Sequence, residues 1–164
     1  MELKYRYLSV SDYPILREMF YLSIFVPEGE PSYPESIIDL PALSIYIEGF
    51  GKEGDFGFVC EDDSEPVGAI WGRVFKSEKK GFGYIDDSTP ELGMAVRPKY
   101  RNKGVGTNLL ARFLEEAKRR GYRTVSLSVD KRNPANHLYD RAGFTVFKEN
   151  EVDYVMRKAL SVIG

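Results

Sequence analysis

The chain has 164 residues, 43% hydrophobic and 29% charged, with 23 Lys and Arg against 25 Asp and Glu. That suits one soluble globular domain able to bury a core without a disulfide or a metal, and it lacks the basic excess of a protein that grips nucleic acid through its phosphates. A single cysteine, Cys60, and a single histidine, His137, leave neither a disulfide framework nor a Cys/His metal cluster, so no metal is expected. The opening MELKYRYLSV is too charged for a secretory leader, and no run approaches the roughly 20 apolar residues of a membrane span. The expectation is a cytoplasmic protein with no membrane and no nucleic-acid partner.

In chain order, Leu3, Tyr5 and Tyr7 alternate with Glu2, Lys4 and Arg6, which predicts a strand. Ser11 or Asp12 can cap a following helix, since Ile15, Leu16, Met19 and Phe20 recur at helical spacing, with an end near Phe25. Residues 26–54 hold four prolines and four glycines, which break regular structure except for a short helix near 40–48. FGFVCE and VGAIWGRVF flank the turn residues DDSEP and predict a hairpin over 55–75. A polar connection spans 76–90. ELGMAV is a strand with Leu92, Met94 and Val96 on one face, and Gly93 is consistent with a bulge or a close approach. TNLLARFLEEAKRR is an amphipathic helix carrying Leu110, Phe113, Leu114 and Ala117; Lys118, Arg119 and Arg120 suit its C-terminal dipole and Gly121 its exit. TVSLSV is a strand, NPANHLYDRA a short helix, and two strands close the chain near 145–148 and 152–156. The order is β-α-α-β-β-β-α-β-α-β-β, a mixed α/β chain.

The richest chemical signal is RNKGVGT, comprising Arg101, Asn102, Lys103, Gly104, Val105, Gly106 and Thr107, between a strand and a helix. Glycines at the turn expose backbone N–H groups, and these together with the helix dipole make an anion site suited to a diphosphate. Arg101 and Lys103 add charge. From the residues alone, a glycine-softened turn with solvated basic side chains is an equal alternative. The sequence does not fit GxxxxGK[ST], and Leu109 stands where a dinucleotide fingerprint needs its third glycine.

Downstream stands NPANHLYDRAGF. RxxGxG before a helix, followed by N-P-A-x-x-LYxxxGF, resembles the GNAT superfamily of acyl-CoA-dependent N-acyltransferases. The motifs are PELGMAVRPKYRNKGVGTNLL (90–110) and SLSVDKRNPANHLYDRAGF (126–144). The resemblance implies one GNAT domain over 1–164: a mixed, mostly antiparallel sheet of six to seven strands with helices on both faces. One bulged strand, 91–96, would splay from its neighbour, 124–129, to admit the pantetheine arm. It implies acetyl-CoA as co-substrate, with the diphosphate on residues 101–107. Backbone groups of Met94, Ala95 and Val96 would contact the pantetheine and the thioester carbonyl, and Asn133 would reach the cofactor's amides. Tyr139 would protonate the leaving thiolate; packing against the last strands is its alternative. Glu91 is the candidate base that takes the proton of the attacking amine, with a plain strand-edge carboxylate as its alternative. His137 and Asn136 read as solvated or capping residues.

The implied reaction transfers an acetyl group to a primary amine of a small molecule, peptide or protein by direct attack in a ternary complex. The alternatives are a non-catalytic acyl-CoA-binding or sensory domain and a Rossmann-type nucleotide binder. Residues 26–54 and 76–90 and the last strand pair would build the acceptor site. Glu28, Glu30, Glu35, Asp86 and Asp87 either attract a cationic acceptor or solvate the surface. Tyr33, Tyr46, Trp71 and Tyr84 either line a pocket or pack, and Cys60 reads as a buried small residue. A homodimer is open.

Overall fold

The alternation at the start of the chain becomes β1 (Leu3–Tyr7), the first of seven strands in a computed structural model that describes residues 1–161. A 3-10 turn over Val10–Asp12 leads into α1 (Tyr13–Ser23). Ser9 caps that turn, and Asp12 takes the N-cap position of α1 as expected, without a side-chain hydrogen bond into the helix. The Asp12 carboxylate reaches back to accept from the Ser9 N–H at 2.8 Å and from Arg6 at 2.7 Å. α1 stops before Phe25 because Ile24 turns extended, while the Ser23 hydroxyl donates to the Phe20 carbonyl at 2.6 Å.

The proline-rich stretch forms a 3-10 turn over Glu35–Asp39, a short α2 (Pro41–Ser44) and further turns to Phe50, shorter than the helix expected over 40–48. Arg73 pins it. Its Nη1 donates to the carbonyls of Ile45 at 2.9 Å and Glu48 at 2.6 Å, and its Nη2 pairs with Asp55 at 2.8 Å.

The hairpin is β2 (Phe56–Asp62) and β3 (Glu65–Val74), closed by Asp63 and Ser64 at φ 50° and 70°, the left-handed pair a tight two-residue turn requires. Then come β4 (Pro90–Val96), α3 (Val105–Arg119), β5 (Thr124–Asp130), α4 (Asn136–Arg141), β6 (Thr145–Glu149) and β7 (Asp153–Ala159). The sheet order is β1-β2-β3-β4-β5-β7-β6, antiparallel except between β4 and β5. Helices cover both faces, as the motifs imply. On one face α3 and α4 pack Leu109, Phe113 and Tyr139 against Ile70, Leu92 and Leu127. On the other, α1 and the 35–50 segment lay Leu16, Phe20, Ile38 and Tyr46 over Ala69, Trp71 and Ala95.

The parallel pair is where the sheet parts. β4 and β5 share one register pair, Glu91 with Ser126, and then separate toward their C-terminal ends. The β5-facing backbone edge of residues 92–96 therefore has no ladder partner. The expected bulge in β4 is absent: its register with β3 runs unbroken from Val74–Pro90 to Gly68–Val96. The irregularities lie in β2, between Cys60 and Glu61, and in β6, between Val146 and Lys148. Divergence from β5 opens the seam without a bulge. Gly93 serves a close approach instead, since Trp71 lies across it and a Cβ there would stand 2.8 Å from the indole.

Candidate active site

α3 begins two residues ahead of the expected Thr107, because Gly104 takes the left-handed conformation (φ 82°) and turns the chain directly into the helix. The first helical N–H groups have no partner within the helix; the Asn108 N–H is the first to be taken up, by the Gly104 carbonyl at 3.0 Å. Val105 is buried and anchors the turn, while Arg101, Asn102, Lys103, Gly104 and Thr107 are exposed around it. A Cβ on Gly106 would lie 3.3 Å from Leu138 of α4, so the glycine lets the two helices close at the mouth of the seam. Arg101 stays local, with Nε donating to the Val96 carbonyl at 3.1 Å, and the Lys103 ammonium lies 6.0 Å from the centre of the Tyr100 ring. Free amides, a helix N-terminus and two cations meet at one end of the parted strands. A diphosphate with a long arm fits that arrangement.

Down the seam, Met94 and Val96 lean to the α3 face and Ala95 to the α1 face. Asn133 sits just before α4, where its Oδ1 accepts from the Ala135 N–H at 2.9 Å, so its Nδ2 group is what it can offer a ligand. The Asn136 amide braces the same turn through the carbonyls of Asp130 and Asn133, as a capping reading expects. A cleft of about 470 Å³ opens beside them, lined by Arg132, Asn133, His137 and Tyr154, with His137 exposed. Tyr139 is buried edge-to-face against Phe144, ring centres 5.7 Å apart. Burial pushes its phenol pKa well up, so it is a neutral proton donor at ordinary pH.

Glu91 lies on the opposite face, at the point where the seam closes. It is 3% exposed. The Tyr46 hydroxyl donates to its Oε2 at 2.5 Å and itself accepts from the Phe82 N–H at 2.6 Å. Oε1 has no hydrogen-bond partner among the described residues. Burial pushes the Glu91 carboxyl up to about 7; the Tyr46 hydroxyl and the nearby Gly83 N–H work against that rise. Arg73 stands directly across from Glu91 on β3, yet its guanidinium is taken by Asp55 and two carbonyls, and among the described residues no cation pairs with Glu91.

Two more buried polar atoms without partners share this face, Trp71 Nε1 on β3 and Ser126 Oγ on β5. Together with Glu91 Oε1 they form a row across three adjacent strands. Unpaired polar atoms in a core are costly and mark a site that a polar ligand or water completes. The strap Gly81–Phe82–Gly83 covers the row. A Cβ on Gly81 would overlap Glu91 Oε1, and one on Gly83 would stand 2.7 Å from the Leu127 carbonyl carbon of β5.

Of the expected acceptor-side residues, Trp71 and Tyr46 are buried and Tyr46 is more than packing, being a side-chain hydrogen-bond donor to Glu91. Sequence reasoning missed that role, since 45 residues separate the two and no motif links them. Asp86 accepts from Ser88 and Thr89, and Asp87 from the Tyr84 hydroxyl, so both are engaged locally. Glu28, Glu30 and Glu35 are solvent-facing or partly so, and Cys60 is fully buried. A larger groove of about 810 Å³ lies beyond the closed end of the seam, lined by Asp86, Asp87, Thr89 and Thr124 among others, and contains neither Glu91 nor Tyr46.

A mostly antiparallel sheet that parts between two parallel strands, with a helix N-terminus at the opening, is the GNAT architecture that the motifs imply. Residues 15–144 match the Acetyltransferase (GNAT) family model, and the chain belongs to that family. It is 35% identical over 107 residues to an uncharacterized N-acetyltransferase of Methanocaldococcus jannaschii, a match covering 62% of this chain and 42% of that protein. Over 69 residues it is 35% identical to the ribosomal protein bS18-alanine N-acetyltransferase of Haemophilus influenzae, covering 42% of this chain and 43% of that protein. The chain spans less than half the length of the curated relatives it matches. Among solved structures, an N-acetyltransferase from Thermoplasma acidophilum in complex with coenzyme A superposes with a TM-score of 0.68. That match covers 97% of this chain and 99% of that one at 21% identity, a likeness of fold.

Proposed function

We propose that the protein transfers an acetyl group from acetyl-CoA to a primary amine of a small molecule, peptide or protein, by direct attack with both substrates bound. The observation that carries this reading is the parted seam between β4 and β5, with a buried titratable group in the core on each of its faces. A buried neutral phenol, Tyr139, lies on one face, and a buried carboxyl near its neutral point, Glu91, lies on the other.

The diphosphate of coenzyme A rests on the amides of residues 101–107, and Asn133 Nδ2 serves the arm. The pantetheine lies along the free edge of Met94, Ala95 and Val96. One N–H of that edge faces the thioester oxygen and stabilises the negative charge that develops there. The amine arrives as an ammonium of pKa about 10, and Glu91 accepts its proton. The nitrogen attacks the carbonyl carbon and the N–C bond forms; as the C–S bond breaks, the nitrogen releases its second proton, which through solvent restores the proton that Tyr139 gives up. Tyr139 protonates the departing sulfur, whose thiol pKa of about 8.5 makes it a good leaving group. Glu91, ionised above about pH 7, is a base matched to neutral conditions.

The test is incubation with acetyl-CoA and a panel of amines, amino acids, peptide N-termini and lysine peptides, following free thiol. Release with at least one amine supports the reading. Binding of CoA in a thermal-shift assay with no thiol release from any amine favours a binding-only domain, and stabilisation by NAD but not CoA overturns both.

A further inference from the structure

The contacts around Glu91 divide its two oxygens. The Phe82 backbone N–H can only donate, so it occupies the Tyr46 oxygen as acceptor. The single hydroxyl proton of Tyr46 is then directed to Glu91 Oε2. Tyr46 is itself held from three sides. Phe20 stacks on its ring at 5.6 Å, Phe75 meets it edge-on at 5.1 Å, and Arg73 clamps the carbonyls of Ile45 and Glu48 on either side of it. Oε1 remains unpartnered, and the strap residue over it is the glycine whose missing Cβ leaves that oxygen uncovered by a side chain.

We propose that Tyr46 is a positioning residue of this site: it binds Glu91 Oε2 so that Oε1, beneath Gly81, is the oxygen that meets the acceptor amine. The inference rests on the reading of Glu91 as the base. Few charges face this carboxyl. Tyr46 comes from the turn after α2, Arg73 from β3 is paired to Asp55, and the strap brings backbone alone. From β5 comes Ser126, and Arg157, opposite it on β7, lies over the Phe147 ring. Tyr46 therefore governs the orientation of the carboxyl and is the main favourable contact of its ionised form.

The experiment is the pH dependence of kcat/KM, with acetyl-CoA and the fastest amine of the panel, for the wild type, Tyr46→Phe and Glu91→Gln. Loss of the donor should move the acid limb of Tyr46→Phe upward by about one pH unit and lower kcat about tenfold, with KM for acetyl-CoA unchanged. Because Tyr46→Phe also removes a buried hydrogen bond, 3-fluorotyrosine at position 46 provides a second variant of nearly the same shape. Its more acidic phenol donates more strongly and should move the limb downward. A limb that stays in place in both variants, or moves the same way in both, overturns the positioning role whatever happens to kcat. A wild-type limb in Glu91→Gln overturns the base reading instead. A limb lost in Glu91→Gln but unmoved at position 46 overturns Tyr46 alone.

Discussion

The two sides of the parted seam are built by different means. On the side facing α3 the cofactor-holding part is backbone, amides at Gly104–Thr107 and the free edge of residues 92–96 within one strand-loop-helix unit, to which the α4 segment adds the side chains of Asn133 and Tyr139. The side facing α1 is made of side chains from four separate segments: Tyr46, Trp71, Glu91 and Ser126, with a backbone strap laid over them. A backbone site needs glycines and a helix start in the right local order, which leaves a motif. A side-chain site needs the whole fold to bring distant positions together, and here it uses a buried ion pair, Arg73–Asp55, to do so. Substitutions on the two sides should therefore fail in different ways.

The largest expected effect is on the side-chain face. Asp55→Ala strands the Arg73 guanidinium, whose partner is 5% exposed, and should cost about 3–5 kcal/mol in urea unfolding. The folded fraction should still bind CoA with near wild-type affinity, because residues 101–107 do not depend on that pair. A loss of CoA affinity as large as the loss of stability would erase the distinction between the two sides.

Glu91 also ties the side-chain face to pH. Its carboxyl has an ordinary value of 4.5 when unfolded and about 7 when folded, so the fold prefers the protonated form. That preference is fully present below pH 4.5, declines between 4.5 and 7, and leaves the ionised group as a constant cost above 7. Glu91→Gln removes a cost on the order of 3 kcal/mol at high pH. Its Tm should exceed the wild type's by several degrees at pH 9 and match it at pH 4.5. The same gain at both values would contradict a raised folded-state pKa.

On the backbone face, Gly104→Ala forces a Cβ into a left-handed turn at φ 82°, a strain of about 1–2 kcal/mol. Weaker CoA binding with kcat preserved at saturation is the expected pattern, readable by calorimetry and initial rates. Tyr139→Phe should do the reverse, slowing turnover with CoA affinity intact; unchanged turnover would remove it from the acid role.

What could be read in the sequence follows the same division. The Gly104–Gly106 turn, the α3 stripe of Leu110, Phe113 and Ala117, and the α4 helix were legible because each depends on spacing within a few residues, although α4 starts at Asn136 and leaves Pro134 in the turn before it. The start of α3 was misplaced by two residues, since a left-handed glycine can open a helix as well as precede its loop. The bulge in β4 was implied by the family resemblance; Gly93, consistent with either a bulge or a close approach, serves the latter, and its reason, the Trp71 indole crossing it from β3, is a tertiary contact. Glu91 could be singled out by its place at the head of a strand. Its donor could not, since Tyr46 looks like any aromatic in a proline-broken stretch until the fold sets it over β4.

The central claim is that Glu91 is the base of an acetyl transfer whose other substrate is held by backbone. The most direct measurement is kcat/KM against pH for the wild type and Glu91→Gln, with CoA affinity measured alongside. The account predicts a wild-type acid limb near pH 7, its loss in the variant with a fall of about a hundredfold in rate, and unchanged CoA affinity. An identical limb and a near wild-type rate in Glu91→Gln would contradict it.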